Sequence, residues 1–278
     1  MLSISGMSSQ LALKLLDATQ TRELQVIQDG PANARAIQKF KDQVASITTA
    51  KDLVKNYDVY SFVMQAYDLK DQMFGKAMIQ KILESDKSQT GSLINKMTDS
   101  RFTTFYDAMG FTANGTQNSN FADPAWQGKV VQRFVQQTYI NDEAKQNATV
   151  GVALEFRQKA PLVKTWYDIL KDKNMGAFMR RVLNVPDAVV NQPLDKQVGI
   201  FQQKYDITKL QNPAEVQTLV QKYVIMSDVQ NAAATLANNP AVSLITDAVN
   251  SGSGAYVPAT LDISAINMSA FSASKLYG

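Results

Sequence analysis

The 278 residues include no cysteine and no histidine. Those two absences together remove thiol nucleophiles, Ser-His-Asp triads, histidine general bases and every Cys/His zinc site. Glycine and proline are scarce, at 13 and 8, roughly two-thirds of average usage, so few positions break a helix. Charge of either sign is sparse: 28 basic and 25 acidic residues leave a net charge of +3. A nucleic-acid footprint needs Lys and Arg clustered on one face, and the chain has no such cluster, so no nucleic-acid partner is expected. The start, MLSISGMSSQLALKLLDATQ, lacks a cationic opening and carries Lys14 inside its apolar stretch, which argues against a Sec signal peptide. No run reaches the roughly 18 uninterrupted apolar residues of a bilayer span, so no transmembrane segment is expected.

What is present is 45% hydrophobic residues, spaced for helices. Ser8 or Ser9 can cap a first helix that carries Leu11, Leu13, Leu15, Leu16, Leu24 and Ile27 and ends at Asp29-Gly30 before Pro31. Ile37, Phe40, Val44 and Ile47 then lie on one helical face. Thr49 and Asp52 form a capping box, and Val59, Phe62, Val63 and Ala66 make the next face. Phe74, Met78 and Ile82, at spacing four, predict a helix that starts near Asp71, and Phe102, Phe105 and Met109 predict one that stops at a left-handed Gly110. Beyond the Asn-, Gly- and Ser-rich stretch 112–124, Pro124 suits the first turn of a longer helix with Trp126, Val130 and Phe134. Four further faces follow: Leu162/Trp166/Ile169/Leu170, Met175/Phe178/Met179/Val182, Leu194/Val198/Phe201/Tyr205 and Val216/Leu219/Val220/Tyr223, with a last helix opened by Pro240. The fold class expected is all-α.

Residues 52–71 lie without gaps on 168–187, matching Asp52 with Asp168, Lys55 with Lys171, Phe62 with Phe178 and Asp71 with Asp187. Together with the shared helix-break-helix pattern, this predicts two related multi-helix units with flexible N- and C-terminal segments. The organisation expected is 1–48 as partly flexible N-terminal helices, 49–111 as a first unit, 112–124 as a loop, 125–250 as a second unit and 251–278 as a flexible tail. That tail has Asp262 and Lys275 as its only charges.

The blocks DLVKNYDVYSFVMQAYDLKD, KAMIQKILESD, LINKMTDSRF and FYDAMGF, followed by TWYDILKDKNMGAFMRRVLNVPD, LDKQVGIFQQKYDI and NPAEVQTLVQKYV, resemble the bacterial family known as domain of unknown function 1217. The resemblance covers roughly residues 45 to 230. It implies an all-helical fold, no assigned enzymatic activity and association with flagellar gene clusters in alphaproteobacteria. It brings no catalytic residue to carry over.

Asp99-Ser100-Arg101-Phe102 reads as a helix start in which Asp99 caps and Arg101 pairs locally. Asp142 and Glu143 diverge by about 100° on a helix, so they read as a solvated face and not as an acid-base pair. Gly110 and Gly115 stand at phosphate-loop spacing, but Thr116 follows where a lysine is needed. Arg180, Arg181, Lys171 and Lys173 form a modest basic region, read as solvation. No catalytic residue, cofactor or metal is expected. The expectation is a non-enzymatic flagellar protein, exported through the flagellar type III route or else a cytoplasmic adaptor or chaperone. Its partners would be flagellar proteins, met through residues 8–28 and 256–276, with Leu11, Leu15, Leu24, Ile263, Ile266 and Phe271 as the contact side chains.

Overall fold

The structure, a computed structural model, describes residues 2–237. The helix expected after Pro240 and the tail 251–278, with Ile263, Ile266 and Phe271, lie outside the described residues. Contacts divide the chain into a compact unit of residues 1–226 and a second unit of 227–278. All thirteen α-helices named below begin in the first unit, and no strand occurs among the described residues. The all-α class is what the spacing of apolar residues predicts.

Four helices open the fold: α1 (Ser9–Asp29), α2 (Pro31–Val44), α3 (Ala50–Lys55) and α4 (Tyr57–Ala66). Three shorter ones follow, α5 (Lys76–Leu83), α6 (Leu93–Lys96) and α7 (Ser100–Met109). Next come α8 (Pro124–Gln146), α9 (Ala148–Lys159), α10 (Trp166–Lys171) and α11 (Lys173–Val182). The last two are α12 (Leu194–Lys204) and α13 (Pro213–Ala237), the latter running on into the second unit.

The internal repeat is longer than the twenty residues that carry it in the sequence. A constant shift of 116, from Ala50 to Trp166 and from Tyr57 to Lys173, lays both ends of α3 and α4 on those of α10 and α11. The same shift brings α1 and α2 onto α8 and α9 within one residue at each end. Local chemistry repeats with it. Thr49–Asp52 and Thr165–Asp168 both form capping boxes, and the Asn56 and Asp172 side chains both cap the helix that follows. Asp68 (φ 57°) and Asn184 (φ 51°) end α4 and α11 in the left-handed conformation. The next amides reach back in the same way, Leu69 N–H to Met64 C=O at 2.7 Å and Val185 N–H to Arg180 C=O at 2.8 Å.

The core repeats as well. Phe40 stacks on Phe62 with ring centroids 4.4 Å apart, and Phe156 stacks on Phe178 at 3.7 Å. Each stack gains a third ring, Phe134 of α8 on Phe62 at 4.1 Å and Tyr223 of α13 on Phe178 at 4.4 Å. Thus α8 covers the first copy as α13 covers the second, in one continuous apolar core. Offset-stacked aromatic rings add to the burial of their large apolar area.

The 112–124 segment lies inside this unit, between α7 and α8. Asn118 organises it: its Oδ1 accepts from the Asn120 and Phe121 amides, both at 2.8 Å, and its Nδ2 donates to the Met109 carbonyl at 2.7 Å. Gly110 has the left-handed geometry expected of it (φ 71°), and a Cβ there would lie 2.3 Å from the Asn120 side chain. The chain just ahead of α1, in the segment expected to be partly flexible, is held. Ile4 is fully buried, and its amide donates to the Gln146 side chain at 2.8 Å.

Two predicted faces are corrected: Leu162 lies in a 3-10 turn ahead of α10 and is exposed, off the face of Trp166 and Ile169, and Phe74 is displaced as well. After the left-handed Asp68 the chain makes a 3-10 turn at Lys70–Gln72, and α5 starts only at Lys76. Phe74 therefore falls outside the helix that Met78 and Ile82 share, and its side chain is 100% exposed.

Candidate functional site

Two features stand out: an outward-facing set of apolar side chains and a charged cleft. Of the residues assigned to partner contact from the sequence, Leu11 is 57% exposed, while Leu15 and Leu24 are half-buried and pack against the core. All three belong to α1, whose Leu13, Leu16 and Ile27 are buried beneath them. Val26 on the same helix is also exposed, as are Tyr57 at the start of α4 and Phe74. Scattered exposed apolar residues are ordinary on protein surfaces, but a wholly exposed phenylalanine is not a core residue left at an edge.

The cleft lies where the two copies meet, with walls from the end of α4, from α7, α8 and α9, and from the α10–α11 pair. It has two adjoining lobes of about 270 and 310 Å³ that share Asp68, Thr98, Arg101, Lys159 and Lys171. Arg101 is its central tie. Asp99 caps α7 by accepting from the Arg101 amide at 2.9 Å, and it also accepts from the Arg101 Nη2 at 2.8 Å. This is the local pairing expected, but Arg101 reaches further. Its guanidinium meets Asp71 at 3.3 Å and the Asp68 carboxylate at 3.7 Å, and it donates to the Asp68 carbonyl. Burial disfavours the Arg101 charge, yet Asp99 and Asp71 outweigh it and raise its pKa.

Lys159 forms a second tie, to Asp172 at 2.7 Å and to Glu155. Burial opposes its charge, and the two carboxylates more than compensate, so its pKa is raised. Asp68 moves the other way for a carboxylate: burial first, then Glu155, push its pKa up against the pull of Arg101. Arg133, from α8, is half-buried beside Tyr67. Its Nε donates to the Ala66 carbonyl at the end of α4 at 3.1 Å, and its guanidinium lies over the Tyr67 ring, 4.4 Å from the centroid. Burial lowers its pKa. The basic region read as solvation is divided: Arg180 pairs with Asp187 at 2.9 Å and Arg181 lies over the Tyr223 ring, whereas Lys171 and Lys173 line the cleft.

Glu143 corrects another reading. It is fully buried at the junction of α1, α8 and α9, not on a solvated face. Burial, then the charges of Glu23 and Asp142, raise its pKa to about 7. Nearby, Arg157 of α9 pairs with Asp17 of α1 at 2.6 Å. No group of three or more acidic residues placed to hold a metal occurs among the described residues.

A family model described as "Protein of unknown function (DUF1217)" matches residues 66–216. The chain belongs to the DUF1217 family. A crystal structure of protein AGR_C_984 from Agrobacterium tumefaciens is similar over 83% of this chain and 97% of that one, at 25% sequence identity and a TM-score of 0.71. The helical arrangement described above thus recurs in an experimental structure. Comparison with curated proteins gives no match. The family match runs from Ala66 through Asp68, Arg101, Arg133, Lys159 and Lys171, so it contains the whole cleft but none of α1. Sequence reasoning missed Arg133 and Lys159. Arg133 is one of three cations on α8 and Lys159 one of two on α9, with nothing local to mark them, and only the fold brings them to one cleft.

Proposed function

We propose that this DUF1217 protein is a non-enzymatic accessory component of the bacterial flagellum that acts by helix-mediated contact with other flagellar proteins. The observation that carries the contact reading is the outer edge of α1. Leu11 is exposed there on the same side of the helix as the half-buried Leu15 and the exposed Val26, while the half-buried Leu24 flanks the core on the other side. An amphipathic helix of a partner lays its apolar face on such a strip. The flagellar setting rests on the resemblance of the sequence blocks to a family associated with flagellar gene clusters.

Deleting residues 8–28 would remove Leu13, Leu16 and Ile27 from the core, so the test uses a surface change. Purified flagella and culture supernatant from wild-type cells and from a strain lacking the flagellar export ATPase are probed for the protein and for its Leu11→Asp variant. The expected result is wild-type protein in flagella, its loss without the ATPase, and reduced incorporation of the variant at unchanged cellular level. Retention of the wild-type protein in the cytoplasm of both strains would replace this reading with that of a cytoplasmic adaptor or chaperone.

A further inference from the structure

The cleft contains more than mutually satisfied ion pairs. Of the four cations on the 270 Å³ lobe, Arg101 and Lys159 are each engaged by at least two carboxylates. Its two carboxylates are engaged as well. Asp68 pairs with Arg101, and Asp168 accepts from the Lys164 and Thr165 amides at 3.0 and 2.8 Å. Arg133 and Lys171 have no carboxylate partner within ion-pair distance among the described residues, and both line this lobe.

Arg133 is also held in place. The Nε bond to Ala66 and the stack on Tyr67 orient the guanidinium without neutralising it, and both Nη groups are without a hydrogen-bond partner among the described residues. Planar guanidinium groups of this kind take carboxylates in a two-pronged arrangement. The repeat supplies an internal contrast. The position equivalent to Arg133 in the first copy is Asp17, a carboxylate that finds its partner in Arg157. The lobe's lining also includes four apolar side chains, Met97, Leu162, Val163 and Met175, among neutral polar ones such as Thr104 and Gln137.

We propose that this lobe binds a small carboxylate on a short apolar body, with the carboxylate on Arg133, Lys171 at the rim, and the body against Met97, Leu162, Val163 and Met175. The carboxylate comes from a free monocarboxylic acid or from the end of a peptide, and the chemistry that recognises it is the same. Such a ligand supplies the directly bonded carboxylate that Arg133 lacks, since Asp68 acts on it only from beyond ion-pair distance, and it removes apolar wall from water. The site is independent of the α1 edge and of the flagellar reading.

The full-length protein is titrated with 4-methylpentanoate, with its amide, with inorganic phosphate and with a short peptide ending in leucine, free or amidated at its C-terminus. Binding is read by calorimetry and by changes in amide chemical shifts. The expected result is saturable binding of the carboxylate forms below about 10 mM, the range of weak fragments, and none of the amides. A stronger response to the free acid or to the peptide identifies the source. Arg133→Gln should weaken binding tenfold or more. Because Arg133 also caps α4, Lys171→Glu, at an exposed position, provides a second variant and should weaken binding severalfold with an unchanged melting temperature. No carboxylate binding to the wild-type protein, equal binding of the amides, phosphate binding as tightly as the carboxylate, or full binding by Lys171→Glu would each overturn the proposal.

Discussion

The two copies, α1–α4 and α8–α11, share a backbone plan but treat polar positions differently. In the first, Asn56 donates to Gln43 at 2.8 Å, a neutral amide pair. In the second, the same two positions are Lys159 and Asp172, a charged pair at 2.7 Å. Lys39 and Asp58 form an exposed ion pair in the first, with side chains 58% and 36% accessible. Their counterparts, Glu155 and Asn174, bond at 2.8 Å beside Lys159. At the position of the buried Ile27 the second copy carries Glu143. One helical frame therefore accepts an amide pair or an ion pair at the same contact: at these five positions the first copy carries two charged side chains, Lys39 and Asp58, and the second carries four, Glu143, Glu155, Lys159 and Asp172.

The comparison can be strained first at its shared centre. Phe62→Ala and Phe178→Ala each remove the middle ring of a three-ring stack and should each cost about 3–5 kcal/mol in chemical denaturation. Clearly unequal losses would show that the copies do not contribute equally to one core. Changes at the polar positions should separate them. Lys159→Met leaves Glu155 and Asp172 without their cation in a partly buried place, and should cost about 1–3 kcal/mol. Gln43→Met at the equivalent position should cost about 1 kcal/mol or less, with both read from denaturation midpoints at constant slope.

Glu143 and Ile27 give a contrast that depends on pH. The folded Glu143 carboxyl titrates at about 7, above its ordinary value of 4.5. The native state thus holds a proton that the unfolded chain releases between these values. Stability should fall as pH rises from about 4.5 to about 7, by on the order of 2 kcal/mol, and then level off. Glu143→Gln should remove that fall, with little change at pH 4 and greater stability than wild type at pH 8, measured as melting temperature against pH. An Ile27→Val variant should keep the wild-type pH profile. Effects as small as that of Gln43→Met belong to the caps. Thr49→Ala and Thr165→Ala should each cost about 1 kcal/mol, equally in the two copies.

Much of the scaffold was legible in the sequence because it is written in local chemistry. The Thr49–Asp52 box, Pro124 at the start of α8 and the left-handed Gly110 act within a few residues of themselves, and each stands where its sequence places it. The twenty-residue repeat was visible through Asp52/Asp168, Lys55/Lys171, Phe62/Phe178 and Asp71/Asp187. Its extension through α1 and α8 was not, because those helices share length and place in the chain but not apolar positions: Leu13, Leu16 and Ile27 fall on Lys129, Gln132 and Glu143. Phe74 had the right spacing for the face of α5 and still lies outside it, because the left-handed Asp68 and the 3-10 turn reset the register first. Of the residues assigned to partner contact, the α1 edge is split between the exposed Leu11 and the half-buried Leu15 and Leu24, which only packing on the core decides.

The sequence by itself determined an all-α chain, its helix boundaries where caps mark them, its duplicated middle, and the lack of any Cys or His chemistry, since these follow from residue types and short spacings. Only the tertiary structure decided that Glu143 is buried, that Arg101 joins three aspartates, and that Arg133, Lys159 and Lys171 line one cleft. Burial and the meeting of charges are properties of helices brought together from distant parts of the chain, and no local spacing encodes them.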